Sequence, residues 1–321
     1  MLFNEFMITG PDYIQFYPTL RCNRSCDFCF NSAIPFTPDM SFNRSKSMLD
    51  VLQRISVKKL DIIGGEPTIH PDIISFVGEA ALRGFSINIS SNGSNIAALR
   101  EIMRIGEAVA VGISVNDRAT LDVVGEFIET RQPIVKTVYH PGIDISMVET
   151  ILSLGPLRYY LLYRDALDHK GMRETLPFHE FREIVQKKFR SPLVGTVSCF
   201  GFIPDLEQYP QLSTARCPAG TTKLGVLPDG SVYPCNLFFG RHDLLLGNIL
   251  TDSFETIWNH RALDFFRTFA GNTCSKTSCS FHTACRGGCP AHSLVHAGDL
   301  SAPDPRCTGL DPHSRKRGNL I

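Results

Sequence analysis

The chain of 321 residues is long enough for one large domain and a smaller one, and its 32 lysines and arginines balance its 32 aspartates and glutamates. This charge balance predicts neither a nucleic acid nor an anionic membrane as a partner, and no apolar run approaches the length of a transmembrane helix. Eleven cysteines without a signal-peptide pattern exclude a short secreted disulfide scaffold and indicate a reducing, cytoplasmic environment.

The first part of the chain alternates short apolar runs with amphipathic helical stretches. The apolar runs predict six strands, at residues 13–20, 60–63, 86–90, 108–115, 134–139 and 159–163. The helical periodicity predicts five helices, at residues 45–56, 72–82, 95–105, 119–129 and 145–154. Such alternation is typical of a parallel sheet with helices outside, and right-handed crossovers curl the sheet toward a barrel. Six repeats, where a complete barrel has eight, predict an α/β fold with a partial (β/α)6 barrel.

The periodicity ends near residue 190, and short segments rich in glycine, proline and cysteine follow. We therefore expect a barrel domain at residues 1–190 and a small cysteine-rich domain at residues 191–321. The composition of this second domain indicates that metal, more than a large apolar core, orders it.

The cysteine-rich domain is predicted to contain a β-hairpin and short helices. Residues 222–227 and 231–233 form the two strands of the hairpin, and Asp-Gly at positions 229 and 230 supplies the turn. Residues 253–259 are predicted to form a short helix, with Trp258 packed in a core.

Three cysteines, Cys22, Cys26 and Cys29, lie within eight residues of one another in the loop after the first predicted strand. Three thiolates can hold three irons of a [4Fe–4S] cluster, which normally takes four cysteines, and leave the fourth iron open to a small-molecule chelate. A zinc ion at this run would need a fourth ligand, and the next histidine is His70.

The other eight cysteines lie in the last two fifths of the chain and are Cys199, Cys217, Cys235, Cys274, Cys279, Cys285, Cys289 and Cys307. Eight is two sets of four, so the full count fits one open and two closed iron–sulfur clusters. A structural zinc is the alternative for this group, because closely spaced cysteines also build zinc ribbons. Cys199 is either a cluster ligand or a buried apolar thiol.

The CxxxCxxC spacing, with Phe28 before its third cysteine, and a Gly-Gly-Glu-Pro motif about 35 residues later resemble the radical S-adenosylmethionine (radical SAM) enzymes. The resemblance covers residues 13–190 and implies a [4Fe–4S] cluster whose open iron chelates S-adenosylmethionine. It implies that the residues contacting this cofactor are Phe28, Gly64, Gly65, Glu66, Pro67, Ser91, Asn92, Ser114 and Asn116. Glu66 would offer a counter-charge to the methionyl ammonium. The Gly-Gly-Glu-Pro motif also fits a plain turn with a capping acid, and the other strand-end polar residues also fit helix caps.

The C-terminal cysteines resemble a SPASM domain, the auxiliary-cluster module that follows many radical SAM barrels. The chain departs from the family pattern between Cys274 and Cys279, where it has four residues instead of two. The resemblance implies two auxiliary [4Fe–4S] clusters. Their ligands would be Cys217, Cys235 and Cys289, with Cys199 as the candidate fourth, for one, and Cys274, Cys279, Cys285 and Cys307 for the other.

Both resemblances imply a radical SAM oxidoreductase that cleaves S-adenosylmethionine to a 5′-deoxyadenosyl radical and oxidises a substrate by hydrogen abstraction. The expected substrate is a peptide or protein side chain, which would make the enzyme a maturase, and the expected electron donor is a flavodoxin or ferredoxin. A tetrapyrrole or small-molecule substrate is the alternative. A non-catalytic iron–sulfur or zinc scaffold is the alternative of another class, and the Gly-Gly-Glu-Pro loop argues against it. The sequence identifies no catalytic acid or base.

The predicted first strand begins at Tyr13, so we expect no upstream domain that binds a leader peptide. A ribosomal peptide substrate would then need a separate recognition protein or would dock directly.

Overall fold

The computed structural model describes residues 10–204, 206–207 and 210–308. Within these residues the chain forms ten strands: β1 (Tyr13–Phe16), β2 (Lys59–Ile62), β3 (Ser86–Ser91), β4 (Val109–Ser114), β5 (Ile134–Val138), β6 (Arg158–Leu162), β7 (Val194–Val197), β8 (Lys223–Val226), β9 (Ser231–Tyr233) and β10 (Gly247–Asn248). The same residues form eleven α-helices: α1 (Phe42–Arg54), α2 (Ile73–Leu82), α3 (Ile96–Arg104), α4 (Arg118–Arg131), α5 (Ile145–Ser153), α6 (His169–Glu174), α7 (Phe178–Lys188), α8 (Phe254–Trp258), α9 (Asp264–Thr268), α10 (Pro290–Ala297) and α11 (Pro305–Thr308).

The chain divides into two compact units that interleave along the sequence. Unit 1 takes the described residues within Met1–Ser25, Ala33–Gly112 and Ala219–Asp264. Unit 2 takes those within Cys26–Ser32, Ile113–Pro218 and Phe265–Ile321. The cysteine loop after β1 is therefore shared, because Cys22 belongs to unit 1 and Cys26 and Cys29 belong to unit 2.

In unit 1 the strands lie side by side in the order β10-β9-β8-β1-β2-β3-β4, and the part of β4 up to Gly112 belongs to this unit. Strand β1 is parallel to β2 on one side and to β8 on the other, with Tyr13 opposite Lys59 and Lys223. The predicted hairpin is confirmed, since β8 and β9 pair antiparallel. Its first strand extends the parallel sheet beside β1, so β1 is an interior strand, which explains why Ile14 and Phe16 are fully buried.

In unit 2 the strands lie side by side in the order β4-β5-β6-β7, and the part of β4 from Ile113 onward belongs to this unit. Strand β6 pairs parallel with β5 and β7. The sequence did not predict β7 or the two helices α6 and α7 that precede it.

Helices after the third, fourth and fifth strands begin at side-chain caps. Asn95 accepts a hydrogen bond from Ala98 N at 3.1 Å, and Asp117 accepts one from Thr120 N at 2.7 Å. Asp144 caps α5 in the same way. These caps satisfy backbone donors that a helix leaves without an internal partner, so they fix where each helix starts.

The predicted α/β fold with a parallel sheet that does not close into a complete barrel is confirmed, because the strand order ends at β10 and at β7. All six predicted strands and all five predicted helices of the first part are present within a few residues of their expected bounds. Trp258 is buried as expected and stacks on Phe254. No helix in the described part of the chain is both long and apolar enough to span a bilayer.

Candidate active site and cysteine clusters

The Gly-Gly-Glu-Pro motif forms the loop after β2 and lies against the backbone that leads to Cys22. Gly65 N donates to Thr19 O at 3.0 Å, and Glu66 N donates to Arg21 O at 2.8 Å. A Cβ atom on Gly65 would lie 2.0 Å from Arg21 O, so only glycine allows this close approach of the two chains. The glycines expected to approach a bound ammonium thus also hold the start of the cysteine loop.

Gly65→Ala is expected to lower the free energy of unfolding by about 1–3 kcal/mol, because the added methyl group forces the two chains apart. Urea denaturation of the anaerobic protein measures this change. Gly78→Ala in α2 is the matched control, since its Cβ meets no atom within 4 Å and alanine favours a helix. Equal stability of the two variants would contradict the proposed close contact.

Glu66 connects the loop after β2 to the loop after β3. Its side chain is 1 % exposed, and Oε1 accepts hydrogen bonds from Thr68 N, Thr68 Oγ1 and Ser91 Oγ at 3.0, 2.6 and 2.8 Å. Oε2 accepts from Asn92 N at 2.6 Å. The carboxylate therefore caps the short turn that begins at Pro67, as the turn interpretation expects. Its role as the counter-charge of a methionyl ammonium stays a prediction.

Asn92 extends this network to the first cysteine. Its Nδ2 atom donates to Asn23 Oδ1 at 2.8 Å and lies 3.8 Å from the sulfur of Cys22. Helix α3 is capped by Asn95, so neither Ser91 nor Asn92 is its N-cap. Unit 1 thus brings together one cysteine of the motif, the Gly-Gly-Glu-Pro loop and the polar end of β3.

Cys26, Phe28 and Cys29 lie in the short segment of unit 2 that completes the cysteine loop. Cys29 N donates to Cys26 O at 3.0 Å, which closes a turn between them. Asp27 O accepts from Arg164 Nη2 at 3.4 Å, and the buried Arg164 also pairs with a glutamate of α6. Residues after β6 therefore position this half of the loop.

Ser114 and Asn116 lie at the carboxyl end of β4, where the sequence placed them. Ser114 is the last residue of the strand and is half-buried. Asn116 Oδ1 accepts from Val138 N at 2.8 Å, so this side chain joins the ends of β4 and β5. The cap of the following helix is Asp117, which rules out the helix-cap role for Ser114 and Asn116.

Three thiols of unit 2, those of Cys199, Cys217 and Cys289, form the first cysteine group. Cys199 makes side-chain hydrogen bonds with both others. The bond with Cys217 raises the pKa of Cys199, while the bond with Cys199 together with burial raises the pKa of Cys289 well above its ordinary value. Cys235 belongs to unit 1, where it is 5 % exposed and precedes a short turn after β9.

The second cysteine group lines an open cavity in unit 2. Its cysteines are Cys274, Cys279, Cys285 and Cys307, and aromatic rings including Phe178 form part of the wall. Cys274 lies with the other three despite the unusual spacing before Cys279. Burial raises the pKa values of Cys285 and Cys307.

A cluster spaces its cysteine sulfurs more widely than a single ion spaces its ligands. Within the described residues no three His, Cys, Asp or Glu side chains converge closely enough to hold one metal ion. Four thiols around one cavity are a donor set that fits a [4Fe–4S] cluster.

A buried ion pair, which the sequence did not predict, lies beside both cysteine groups. Asp304 Oδ2 accepts from Cys289 N at 2.8 Å and pairs with Arg306 Nη2 at 2.7 Å. Burial alone would raise the pKa of Asp304, but the adjacent guanidinium of Arg306 outweighs it and lowers this pKa to about 2. The same short segment ends in Cys307, so the pair connects the backbone of one cysteine group with a cysteine of the other.

Arg216, next to Cys217, is another buried cation that the sequence did not predict. Its side chain is 2 % exposed, and its acceptors are the carbonyl oxygens of Gly287, Gly288, Leu300 and Ala302 and the hydroxyl of Ser293. These bonds hold the chain on both sides of Cys289 in place.

Two families match this chain. Residues 16–154 match the Radical SAM superfamily, and residues 217–290 match the SPASM iron–sulfur cluster-binding domain. The mycofactocin maturase MftC of Mycobacterium tuberculosis is 28% identical over 94% of this chain and 83% of its own length. The antilisterial bacteriocin subtilosin biosynthesis protein AlbA of Bacillus subtilis is 25% identical over 89% of this chain and 68% of its own length.

The fold is also similar to a solved structure. The crystal structure of Streptococcus suis SuiB bound to S-adenosylmethionine superposes with a TM-score of 0.71 at 19% sequence identity. The similarity covers 93% of this chain and 77% of SuiB. It supports the fold described above.

Proposed function

The chain belongs to the radical SAM superfamily and carries a C-terminal SPASM domain, and on this premise we propose that it is a maturase that oxidatively modifies a peptide. Cys22, Cys26 and Cys29 would hold a [4Fe–4S] cluster, which would supply the electron for the reductive cleavage of S-adenosylmethionine that precedes hydrogen abstraction. The observation that carries the proposal is the Gly-Gly-Glu-Pro loop, which is hydrogen-bonded to the backbone just before Cys22, the first cysteine of the motif. A scaffold protein needs no such loop.

The proposed ligands of this cluster are Cys22, Cys26 and Cys29. Glu66 and Asn92 hold the surrounding loops through the hydrogen bonds of unit 1, and Asn92 contacts the sulfur of Cys22. The backbone of the Gly-Gly-Glu-Pro loop would bind the methionyl ammonium. A flavodoxin or ferredoxin is the proposed electron donor.

The peptide substrate is supported by the relatives, since one is named a maturase and another a bacteriocin biosynthesis protein. Hydrogen abstraction followed by loss of one electron and one proton leaves a peptide lighter by two hydrogens. Anaerobic protein with reductant, S-adenosylmethionine and short peptides encoded beside its gene tests this by mass spectrometry. The peptide assignment would be contradicted if 5′-deoxyadenosine formed together with an oxidised small molecule while no peptide changed in mass.

We further propose that both C-terminal cysteine groups hold auxiliary [4Fe–4S] clusters. Cys274, Cys279, Cys285 and Cys307 would hold one through the cavity that they line. Cys199, Cys217 and Cys289, with Cys235, would hold the other. The contact of Cys199 with Cys217 and Cys289 supports its assignment as a ligand over that of an isolated packed thiol. Such clusters could accept the electron that the substrate radical loses.

About twelve irons per chain are expected after anaerobic reconstitution, because three clusters of four irons use all eleven cysteines. Iron, sulfide and zinc assays on the same sample measure this. Cys274→Ala combined with Cys285→Ala should reduce the count to about eight. A count near four, together with bound zinc, would make the C-terminal region a zinc module.

A further inference from the structure

His292 is a fully buried histidine of α10 that lies three residues after Cys289. The backbone N–H of Ala166 donates to its Nε2 atom at 2.8 Å. A ring nitrogen that accepts a hydrogen bond carries no proton, so the neutral ring must carry its proton on Nδ1. The hydrogen bond from Ala166 therefore makes Nδ1 a donor.

The carboxylate of Asp165 does not compete for this proton. Its Oδ1 atom is 3.7 Å from Nε2 of His292, beyond hydrogen-bond distance, and it accepts from Arg306 Nη1 at 3.0 Å instead. Protonating Nε2 would also set two N–H groups against each other at the 2.8 Å contact with Ala166. The geometry thus favours the Nδ1–H form of the ring.

The Nδ1 atom is buried and has no hydrogen-bond partner in the described part of the chain. Burial lowers the pKa of His292, while the nearby thiol of Cys289 acts to raise it, which places the ring beside this thiol. The backbone N–H of Cys289 is already bonded to Asp304 at 2.8 Å, so it is not available to the sulfur. His292 is therefore the side chain placed to donate to this sulfur.

We propose that His292 donates its Nδ1–H to the sulfur of Cys289 and thereby raises the reduction potential of the auxiliary cluster that Cys289 binds. This inference rests on the proposed cluster at Cys199, Cys217 and Cys289. An N–H···S hydrogen bond stabilises the more negative, reduced cluster more than the oxidised one, so it makes the cluster a better electron acceptor. His292 acts through its cysteine neighbour and is a positioning residue.

Two amide variants separate the proposed role from a purely structural one. His292→Gln places its carbonyl oxygen near the position of Nε2, where it can still accept from Ala166, but removes the donor to Cys289. His292→Asn places its NH2 group near the position of Nδ1, where it can still donate to Cys289, but loses the bond from Ala166. His292→Phe fills the space without either nitrogen and should behave like the Gln variant.

Anaerobic redox titration followed by electron paramagnetic resonance gives the readout. Alanine at Cys22, Cys26 and Cys29 removes the third cluster from the spectra, and the signal lost in Cys289→Ser identifies the cluster of interest. At a fixed applied potential, His292→Gln should raise the ratio of oxidised to reduced cluster about tenfold. This corresponds to a decrease of about 59 mV in the reduction potential of the cluster for a one-electron couple. His292→Asn should shift it clearly less, and the cluster of Cys274 and Cys285 should keep its potential in every variant.

A shift in the Asn variant without one in the Gln variant would show that the bond to Ala166 matters instead, and it would overturn the proposal. Unchanged potentials in the Gln and Phe variants at full iron content would do the same. If Cys289→Ser removes neither iron nor a signal, the proposed auxiliary cluster itself fails, and the role of His292 fails with it.

Discussion

Replacing Cys22, Cys26 and Cys29 together with alanine is expected to abolish 5′-deoxyadenosine formation and to remove about four irons per chain. These cysteines are the proposed ligands of the cluster that supplies the cleaving electron, and the C-terminal clusters would have no open iron to bind S-adenosylmethionine. The loop lies between β1 and α1, so the far-ultraviolet circular dichroism should stay unchanged. Iron assays and chromatography of dithionite-reduced reactions measure the two losses.

The matched control replaces Cys274, Cys279 and Cys285 with alanine. This variant also loses three cysteines and about four irons, but its S-adenosylmethionine cleavage should persist because the first motif is intact. Formation of a modified peptide should fall if the auxiliary cluster accepts electrons. If the variant with alanine at Cys22, Cys26 and Cys29 still cleaves S-adenosylmethionine, the assignment of these three cysteines as ligands of the cleaving cluster is wrong.

Local sequence pattern predicted the first six strands because each has an apolar face that the fold buries. Ile14, Leu60 and Ile62 are fully buried, which is what alternating apolar residues in the interior strands require. Strand β1 ends at Phe16, earlier than the predicted residue 20, and Pro18 just beyond it lacks the N–H that a sheet ladder needs.

Strand β7 and the position of the hairpin could not be predicted in this way. The strand Val194–Val197 has no fully buried residue, and its Gly195 lies where a Cβ atom would come within 2.5 Å of the Tyr160 ring. The pairing of β8 with β1 joins segments that are far apart in the sequence. Neither feature leaves a local periodicity, because each depends on a partner that is distant in sequence.

The candidate site shows the same division between local chemistry and distant contacts. Iron–sulfur ligation restricts both residue type and spacing, so the cysteine motif was visible in the sequence. The bonds from Arg216 to Gly288 and from Ala166 to His292 join residues that are far apart in sequence. Glu66 lies between these cases, since its motif was recognised but its hydrogen bonds to the loop after β3 were not.

Asp304→Asn is expected to lower the free energy of unfolding by about 3–5 kcal/mol, because it leaves the buried guanidinium of Arg306 without its main counter-charge. Asparagine can still accept from Cys289 N, but it cannot neutralise the cation. Asp304 and Arg306 are 1 % and 3 % exposed, so water cannot compensate. Urea denaturation at matched iron content measures the loss. Glu183→Gln, which breaks the exposed pair with Lys187, is the control and should change stability by no more than about 0.5 kcal/mol.

The pH dependence of stability provides a second test of the same ion pair. Burial opposes ionisation of Asp304, but the guanidinium of Arg306 prevails and lowers its pKa to about 2. A carboxyl group with a depressed pKa stabilises the folded state above its unfolded pKa, near 4, and loses this contribution as the pH falls through about 2. The stability difference between the wild-type protein and Asp304→Asn should therefore be largest near neutral pH and shrink as the pH falls from about 4 to 2. A difference that is independent of pH over this range would mean that the charge of Asp304 contributes nothing, and that its hydrogen bond to Cys289 alone stabilises the fold.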